Sequence, residues 1–195
     1  MRENKITPSD ISHQNLKKAT FAGGCFWCIQ AVFDKVRGVA STAVGYTGGH
    51  KENPTYEEVC SGETGHIEAV EVFYDLSKVT YEELLDIFWR NIEPTMLNRQ
   101  FVDFGTQYRT VIFYQDEEEK RLAQVSRDRL EKSGKFYKPI VTEIRPSATF
   151  YKAEEYHQKY YQKNPLRYQF YEAHSGRSHY LKRVWAANAK NNCIK

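Results

Sequence analysis

No stretch of this chain approaches the ~18 consecutive apolar residues of a membrane-spanning helix. No block of lysine and arginine builds the phosphate footprint of a nucleic-acid binder, and a formal charge of +3 over 195 residues is mild. The segment Met1 to Asp10 is polar, with no apolar core of a signal peptide. Cys193 stands third from the end, whereas a prenylation box needs a cysteine fourth from the end. There is no internal repeat, no low-complexity tract and no linker that would split the chain. Four cysteines are too few for a disulfide scaffold at this length, and in a reducing compartment they lean towards catalysis or metal. These absences lead to the expectation of a soluble, cytoplasmic protein that binds neither nucleic acid nor membrane, and a monomer is expected beside them.

What the chain has in quantity is aromatic: 14 tyrosines and 11 phenylalanines, in loops as well as in periodic segments. With 41% hydrophobic and 27% charged residues, the composition is that of a globular protein able to bury a core. The expected organisation is a poorly ordered leader over 1–16, a single domain over 17–185, and a tail over 186–195 carrying Cys193.

Periodicity supplies the elements. Lys17 to Phe21 reads as a short strand running into Gly23-Gly24. From Cys25, the apolar positions Phe26, Ile29, Val32, Phe33 and Val36 follow helical spacing, with Gly38 as a stop. Val39 to Tyr46 is a strand, Asn53 to Cys60 a loop passing into a short helix, and His66 to Tyr74 a strong strand. Thr80 with Glu83 makes a capping box for a helix through Arg90, ended by Pro94. Glu93 to Gln107 has no periodicity, and loops of that length are usually functional. Tyr108 to Gln115 is a strand, Asp116 with Glu119 caps a helix ending at Gly134, and Ile140 to Ile144 is a final strand. Helices around Ala153 to Lys163 and Ser178 to Asn188 flank a tyrosine-rich linker. The order predicts an α+β two-layer sandwich with a ferredoxin-like βαββαβ core and helical and coil additions at the C-terminus.

Within this frame, Cys25 falls at the expected helix start, where unpaired N–H groups and the positive dipole end favour thiolate over thiol. Buried free cysteine is equally common, so a reactive and an inert reading both stand. Cys28, one turn on, permits a disulfide with Cys25. Zinc is the rival, but a structural site wants four ligands, and Cys60 and Cys193 are isolated. Glu68 shares a strand face with Val70, Val72 and Tyr74. Buried there it would hold its proton tightly and serve as an acid, while at a strand end it would simply reach solvent. Tyr56, Asp103 and Tyr108 sit in or beside loops. Tyrosine hydroxyls over an apolar wall suit a substrate with one polar atom and a methyl group. His157 lies on an expected helix among Tyr156, Tyr160 and Tyr161, where a structural hydrogen bond is the commoner role.

Gly24-Cys25-Phe26-Trp27, Gly45-Tyr46-Thr47-Gly48-Gly49, Asn53-Pro54-Thr55-Tyr56, Val59-Cys60-Ser61-Gly62, Gly65-His66-Ile67-Glu68 and Gly105-Thr106-Gln107-Tyr108-Arg109 occur in that order. Together, from about Phe21 to about Tyr171, they resemble the A type of peptide methionine sulfoxide reductase. The resemblance implies reduction of the S epimer of methionine sulfoxide, free or in proteins. It puts Cys25 at the nucleophile, Glu68 at the acid, and Tyr56 and Tyr108 at the groups that hydrogen-bond the sulfoxide oxygen. Phe26 and Trp27 match the wall around the substrate methyl, Asp103 the loop acid near the pocket, and His157 a histidine of the later helix. It further implies thioredoxin as reductant, with dithiothreitol as substitute, and no metal or organic cofactor.

One departure from the family pattern is Cys28, which stands where glycine is commoner. Helix spacing makes Cys28 a candidate to resolve a sulfenic acid on Cys25, with Cys193 as the second candidate and Cys60 as a structural residue. General disulfide exchange through Cys25 and Cys28, or a zinc- or redox-binding interaction module, would need neither Glu68 nor the tyrosines.

Overall fold

The computed structural model describes residues 16–186. Of the expected leader only Leu16 falls inside, where it opens the first strand. The tail beyond Ala186, with Cys193, lies outside the described residues. The elements in order are β1 (Leu16–Gly23), α1 (Phe26–Phe33), β2 (Val39–Thr47), α2 (Tyr56–Cys60), β3 (Ile67–Asp75) and α3 (Tyr81–Trp89). Then come β4 (Arg99–Gln100), β5 (Asp103–Phe104), β6 (Thr110–Tyr114), α4 (Glu117–Lys132), β7 (Glu143–Pro146) and β8 (Phe150–Lys152). The chain continues with α5 (Tyr160–Lys163), α6 (Pro165–His174) and α7 (Arg177–Ala186).

The fold is mixed α+β. Six strands form one sheet in the order β7-β6-β1-β3-β2-β8. All neighbours run antiparallel except β6 and β7. Strand alternation sends Glu68, Val70, Val72 and Tyr74 of central β3 to one face, where all four are buried. Helices α1, α3 and α4 bury Phe26, Ile29, Phe33, Leu84, Leu85, Phe88 and Ala123 in the same core. Phe21 sits at its centre, stacked on Phe33 at 5.1 Å and Phe88 at 5.2 Å. The other face carries a smaller apolar patch of Ala22, Ile67, Ala69, Val111 and Phe113, with Phe150 packed against it.

Helix starts follow their caps. Thr80 with Glu83 and Thr55 with Glu58 form capping boxes, and the Asp116 carboxylate accepts from the Glu119 N–H at 2.8 Å. Helix α1 is different. Cys25 occupies the N-cap position without a side-chain cap bond, and the missing acceptor comes from strand β3: Glu68 Oε2 accepts from the Phe26 N–H at 2.9 Å.

Several expectations are corrected. Helix α1 stops at Phe33, well before Gly38, because the Lys35 and Val36 N–H groups turn back to the tighter partners Val32 O and Phe33 O. The aperiodic stretch from Glu93 holds the paired strands β4 and β5 and a 3₁₀ turn over Thr106–Tyr108. The strand expected at Ile140 to Ile144 is Glu143–Pro146, and it is not the last, since β8 pairs with β2. The helix expected from Ala153 is only Tyr160–Lys163. Gln158 instead spends its amide on β2, accepting from the Val44 N–H at 3.0 Å and donating to Val44 O at 2.9 Å. Lys159 then takes a left-handed φ of 51°, which breaks helical continuity. The tyrosine-rich linker is helix α6, which has no buried residue and so left no apolar stripe to read.

Phe21→Ala should lower unfolding free energy by about 3–5 kcal/mol, measured by urea denaturation. A loss below about 1 kcal/mol would mean that the aromatic stack is not the centre of the core.

Candidate active site

The site forms where α1 meets the ends of the central strands. Gly24 turns the chain at φ 79°, and a Cβ there would lie 2.4 Å from Cβ of Gln100. Only glycine admits this contact. Gln100 is fully buried and locked by donating to Glu93 O at 2.7 Å, so the β4–β5 pair is seated against Gly24 and delivers Asp103. A cavity of about 80 Å³ results, lined by Cys25, Phe26, Trp27, Tyr56, Glu68, Asp103, Tyr108 and Tyr171. That is roughly half the ~150 Å³ of an apolar cavity able to take benzene, so it suits a group of a few heavy atoms. An apolar groove of about 370 Å³ adjoins it through Trp27, Tyr56 and Tyr171, with Tyr156, His157, Tyr160 and Arg167 as its other walls.

Burial governs the electrostatics. Glu68 is 3% exposed, and its carboxyl is pushed up to about 8 by that burial. The Phe26 N–H pulls it down, while Asp103 and Cys28 add to the rise. Near neutral pH it is therefore a neutral acid that can give up a proton. The two buried thiols shift each other. Cys28 is held down to about 7, by Cys25 first, against its own burial, with help from Arg177 and from Tyr168. Cys25 is raised well above the ordinary thiol value, by burial first and then by Cys28. A desolvated N-cap position next to a second thiol thus raises Cys25 and lowers Cys28. The hydroxyls of Tyr56, Tyr108 and Tyr171 are raised by burial and stay protonated. Tyr171 donates to Asp103 Oδ2 at 2.6 Å.

Of the residues singled out from sequence, Cys25, Phe26, Trp27, Tyr56, Glu68, Asp103 and Tyr108 meet at one cavity, and Cys28 lies buried one turn below. Glu68 does not reach solvent. His157 is not on a helix and lines the adjoining groove. It is 1% exposed and accepts from the Trp27 indole N–H at 3.1 Å through Nδ1. Burial lowers its proton affinity, so the neutral ring carries its hydrogen on Nε2. Cys60, expected to be structural, is exposed at the end of α2. Cys193 lies outside the described residues.

Sequence reasoning missed Tyr171, Arg177 and Glu154. Glu154 accepts from Tyr46 Oη at 2.8 Å and from the Tyr56 N–H at 2.9 Å. These contacts join residues about a hundred positions apart, and no local pattern announces them. Among the described residues no group of three or more His, Cys, Asp or Glu could hold a metal ion. No described helix is long and apolar enough to cross a membrane.

A buried pair of thiols one helical turn apart, beside a carboxyl that burial keeps protonated, on an α+β scaffold, defines a thiol-based oxidoreductase. The family model for peptide methionine sulfoxide reductase matches residues 17–189. The chain is 60% identical over 151 residues to peptide methionine sulfoxide reductase MsrA of Methanothermobacter thermautotrophicus, covering 77% of this chain and 89% of the relative. It is 49% identical over 175 residues to MsrA of Listeria innocua, covering 90% and 99%. Mxr1 from Saccharomyces cerevisiae in its reduced form superposes with a TM-score of 0.73 at 32% identity, covering 83% of this chain and 90% of Mxr1. Mxr1 has also been solved in complex with Trx2. The chain belongs to the peptide methionine sulfoxide reductase family.

The Glu68 proton makes a thermodynamic prediction. Folding raises its affinity from an ordinary 4.5 to about 8. The unfolded chain therefore ionises first, and Glu68 costs stability progressively across that window, by about 1.4 kcal/mol per pH unit. Glu68→Gln has no proton to release. Its unfolding free energy should gain on the wild type as pH climbs from about 5 to about 8. Parallel curves in denaturant titrations would contradict the buried neutral acid.

Proposed function

We propose that this protein reduces the S epimer of methionine sulfoxide, free and in proteins, and is restored by a thioredoxin. The observation that carries the reading is the single cavity in which the Cys25 thiol, the neutral Glu68 carboxyl and the Tyr56 and Tyr108 hydroxyls converge beside Phe26 and Trp27. A sulfoxide sulfur accepts a thiolate only as its oxygen gains a proton, and these groups provide both halves. Phe26 and Trp27 receive the methyl, Tyr56 and Tyr108 donate to the oxygen, and Asp103 faces the cavity, held by Tyr171. His157 acts indirectly, fixing the Trp27 indole.

The steps balance as follows. Cys28 thiolate takes the Cys25 proton. Cys25 sulfur then attacks the sulfoxide sulfur while Glu68 protonates its oxygen. Methionine leaves, the hydroxyl passes to Cys25 as sulfenic acid, and Glu68 is left ionised. Cys28 returns its proton to Glu68 and attacks the Cys25 sulfur. The S–S bond forms, the S–O bond breaks, and the hydroxyl leaves as water with the Glu68 proton. Cys193 is the alternative attacking thiol. The disulfide is then open to exchange with a reduced thioredoxin, as the Mxr1 complex with Trx2 suggests for that relative. No step calls for a metal or organic cofactor.

The same reading takes residues 17–185 as one catalytic domain, working as a cytoplasmic monomer in keeping with free thiols. The strand order β6-β1-β3-β2, with α1 and α3 as crossovers, supports a ferredoxin-like core.

Purified protein given dithiothreitol and the separated epimers should consume the S form alone, and loss of neither epimer or of only the R form would overturn the proposal. Cys25→Ser should abolish turnover. Glu68→Gln should slow the single-turnover step by ~10²–10⁴-fold, and the wild-type rate should fall as pH rises through about 8, where Glu68 ionises. A flat profile and an unchanged rate would remove Glu68 from the chemistry. Peptide mapping after one equivalent of substrate should find Cys25 bridged to Cys28. A first bridge to Cys193 would reassign the resolving thiol.

A further inference from the structure

Helix α7 brings to this site a charge that the mechanism above has not used. Arg177, its first residue, is 5% exposed. Its guanidinium donates to Asn91 O at 2.5 Å and to Gly23 O at 3.1 Å, and lies over the Phe101 ring at 4.7 Å. One of its terminal nitrogens would be 3.4 Å from a Cβ placed on Gly24. The cation thus sits directly behind the Gly23-Gly24-Cys25 turn. Among the described residues no carboxylate lies within 4.0 Å of it. A cation buried on carbonyl dipoles alone is costly unless an anion stands near, and the anionic groups within its field are Asp103 and the thiol pair at Cys28.

We propose that Arg177 is a positioning residue that keeps Cys28 as the thiolate of the pair and so sets the rate at which the Cys25 sulfenic acid closes to a disulfide. This role presupposes the reductase reading and Cys28 as the resolving thiol. The other groups facing Cys28 do not supply a positive charge. Cys25 and Tyr168 lower Cys28 as neutral neighbours, Tyr171 and Glu68 keep their protons and carry no charge, and Asp103 opposes a nearby anion. Among the described residues Arg177 is the one fixed cation acting on Cys28, and its bonds to Gly23 and Asn91 hold it in place whichever thiol carries the charge. In the closing step it favours loss of the Cys28 proton, so that the nucleophile is regenerated after each attack by Cys25.

The test is the pH dependence of Cys28 alkylation in the reduced protein, read peptide by peptide by mass spectrometry. It is paired with trapping of the Cys25 sulfenic acid by a dimedone probe after one equivalent of sulfoxide. Arg177→Gln should raise the Cys28 midpoint by about one pH unit or more and slow closure at neutral pH about tenfold, so that trapped sulfenic acid accumulates. Arg177→Lys, which keeps the charge and loses the paired carbonyl bonds, should restore most of the midpoint, which a purely structural role would not. Equal midpoints in all folded variants overturn the proposal. Should the glutamine variant fail to fold, a wild-type Cys28 midpoint at or above the ordinary thiol value overturns it, and one well below supports it. The alkylation midpoint needs no turnover, so it stands apart from the epimer assay and from mapping of the first disulfide.

Discussion

One hydrogen bond ties the chemistry to the fold. The Phe26 N–H, the first of helix α1, points at the Glu68 carboxyl on central strand β3. Because Cys25 supplies no side-chain cap, the strand caps the helix, and the acid is set beside the nucleophile by the same contact. The helix start then needs Gly24 in a left-handed turn and a buried Gln100 against it, which draws in the β4–β5 loop and Asp103. An N-cap serine or aspartate would stabilise α1 by about 0.5–2 kcal/mol and remove the reason for Glu68 to be there.

Burial sets the protonation states. In water, a carboxyl and a thiol at neutral pH would be ionised and protonated respectively. Inside this cavity the carboxyl keeps its proton, and the two thiols hold one negative charge between them, next to a buried guanidinium. The C-terminal third enforces this state. Tyr160 stacks on Trp27 at 4.0 Å, Tyr171 holds Asp103, and α7 plants Arg177 behind the Gly-Gly turn. Tyr171 lines the cavity itself, and Tyr160 and Arg177 stand behind it, where they exclude water or fix a charge.

Much of this was legible in the sequence, for reasons that also mark the limits. The strand from His66 to Tyr74 and the helices at Thr80 and Asp116 are written in period and caps, both local signals. Cys25, Glu68, Tyr56, Tyr108, Asp103, Phe26 and Trp27 were found through the order of motifs along the chain, and they converge on one cavity. Helix α6 buries no residue and so has no stripe, and Gln158 replaces helical bonds with strand-edge bonds to Val44. The contacts of Tyr171 with Asp103 and of Arg177 with Gly23 span 68 and 154 positions. The second contact sets a cation beside the thiol pair, and nothing local to Cys25 and Cys28 announces it.

The account's central claim is that Glu68 stays protonated beside Cys25 at neutral pH. Infrared difference spectroscopy of the reduced protein across pH, with Glu68→Gln as reference, reads that proton directly. The account predicts a protonated carboxyl band at neutral pH that disappears with a midpoint of about 8. An ionised carboxylate already present at neutral pH, with a midpoint near the ordinary 4.5, would contradict it.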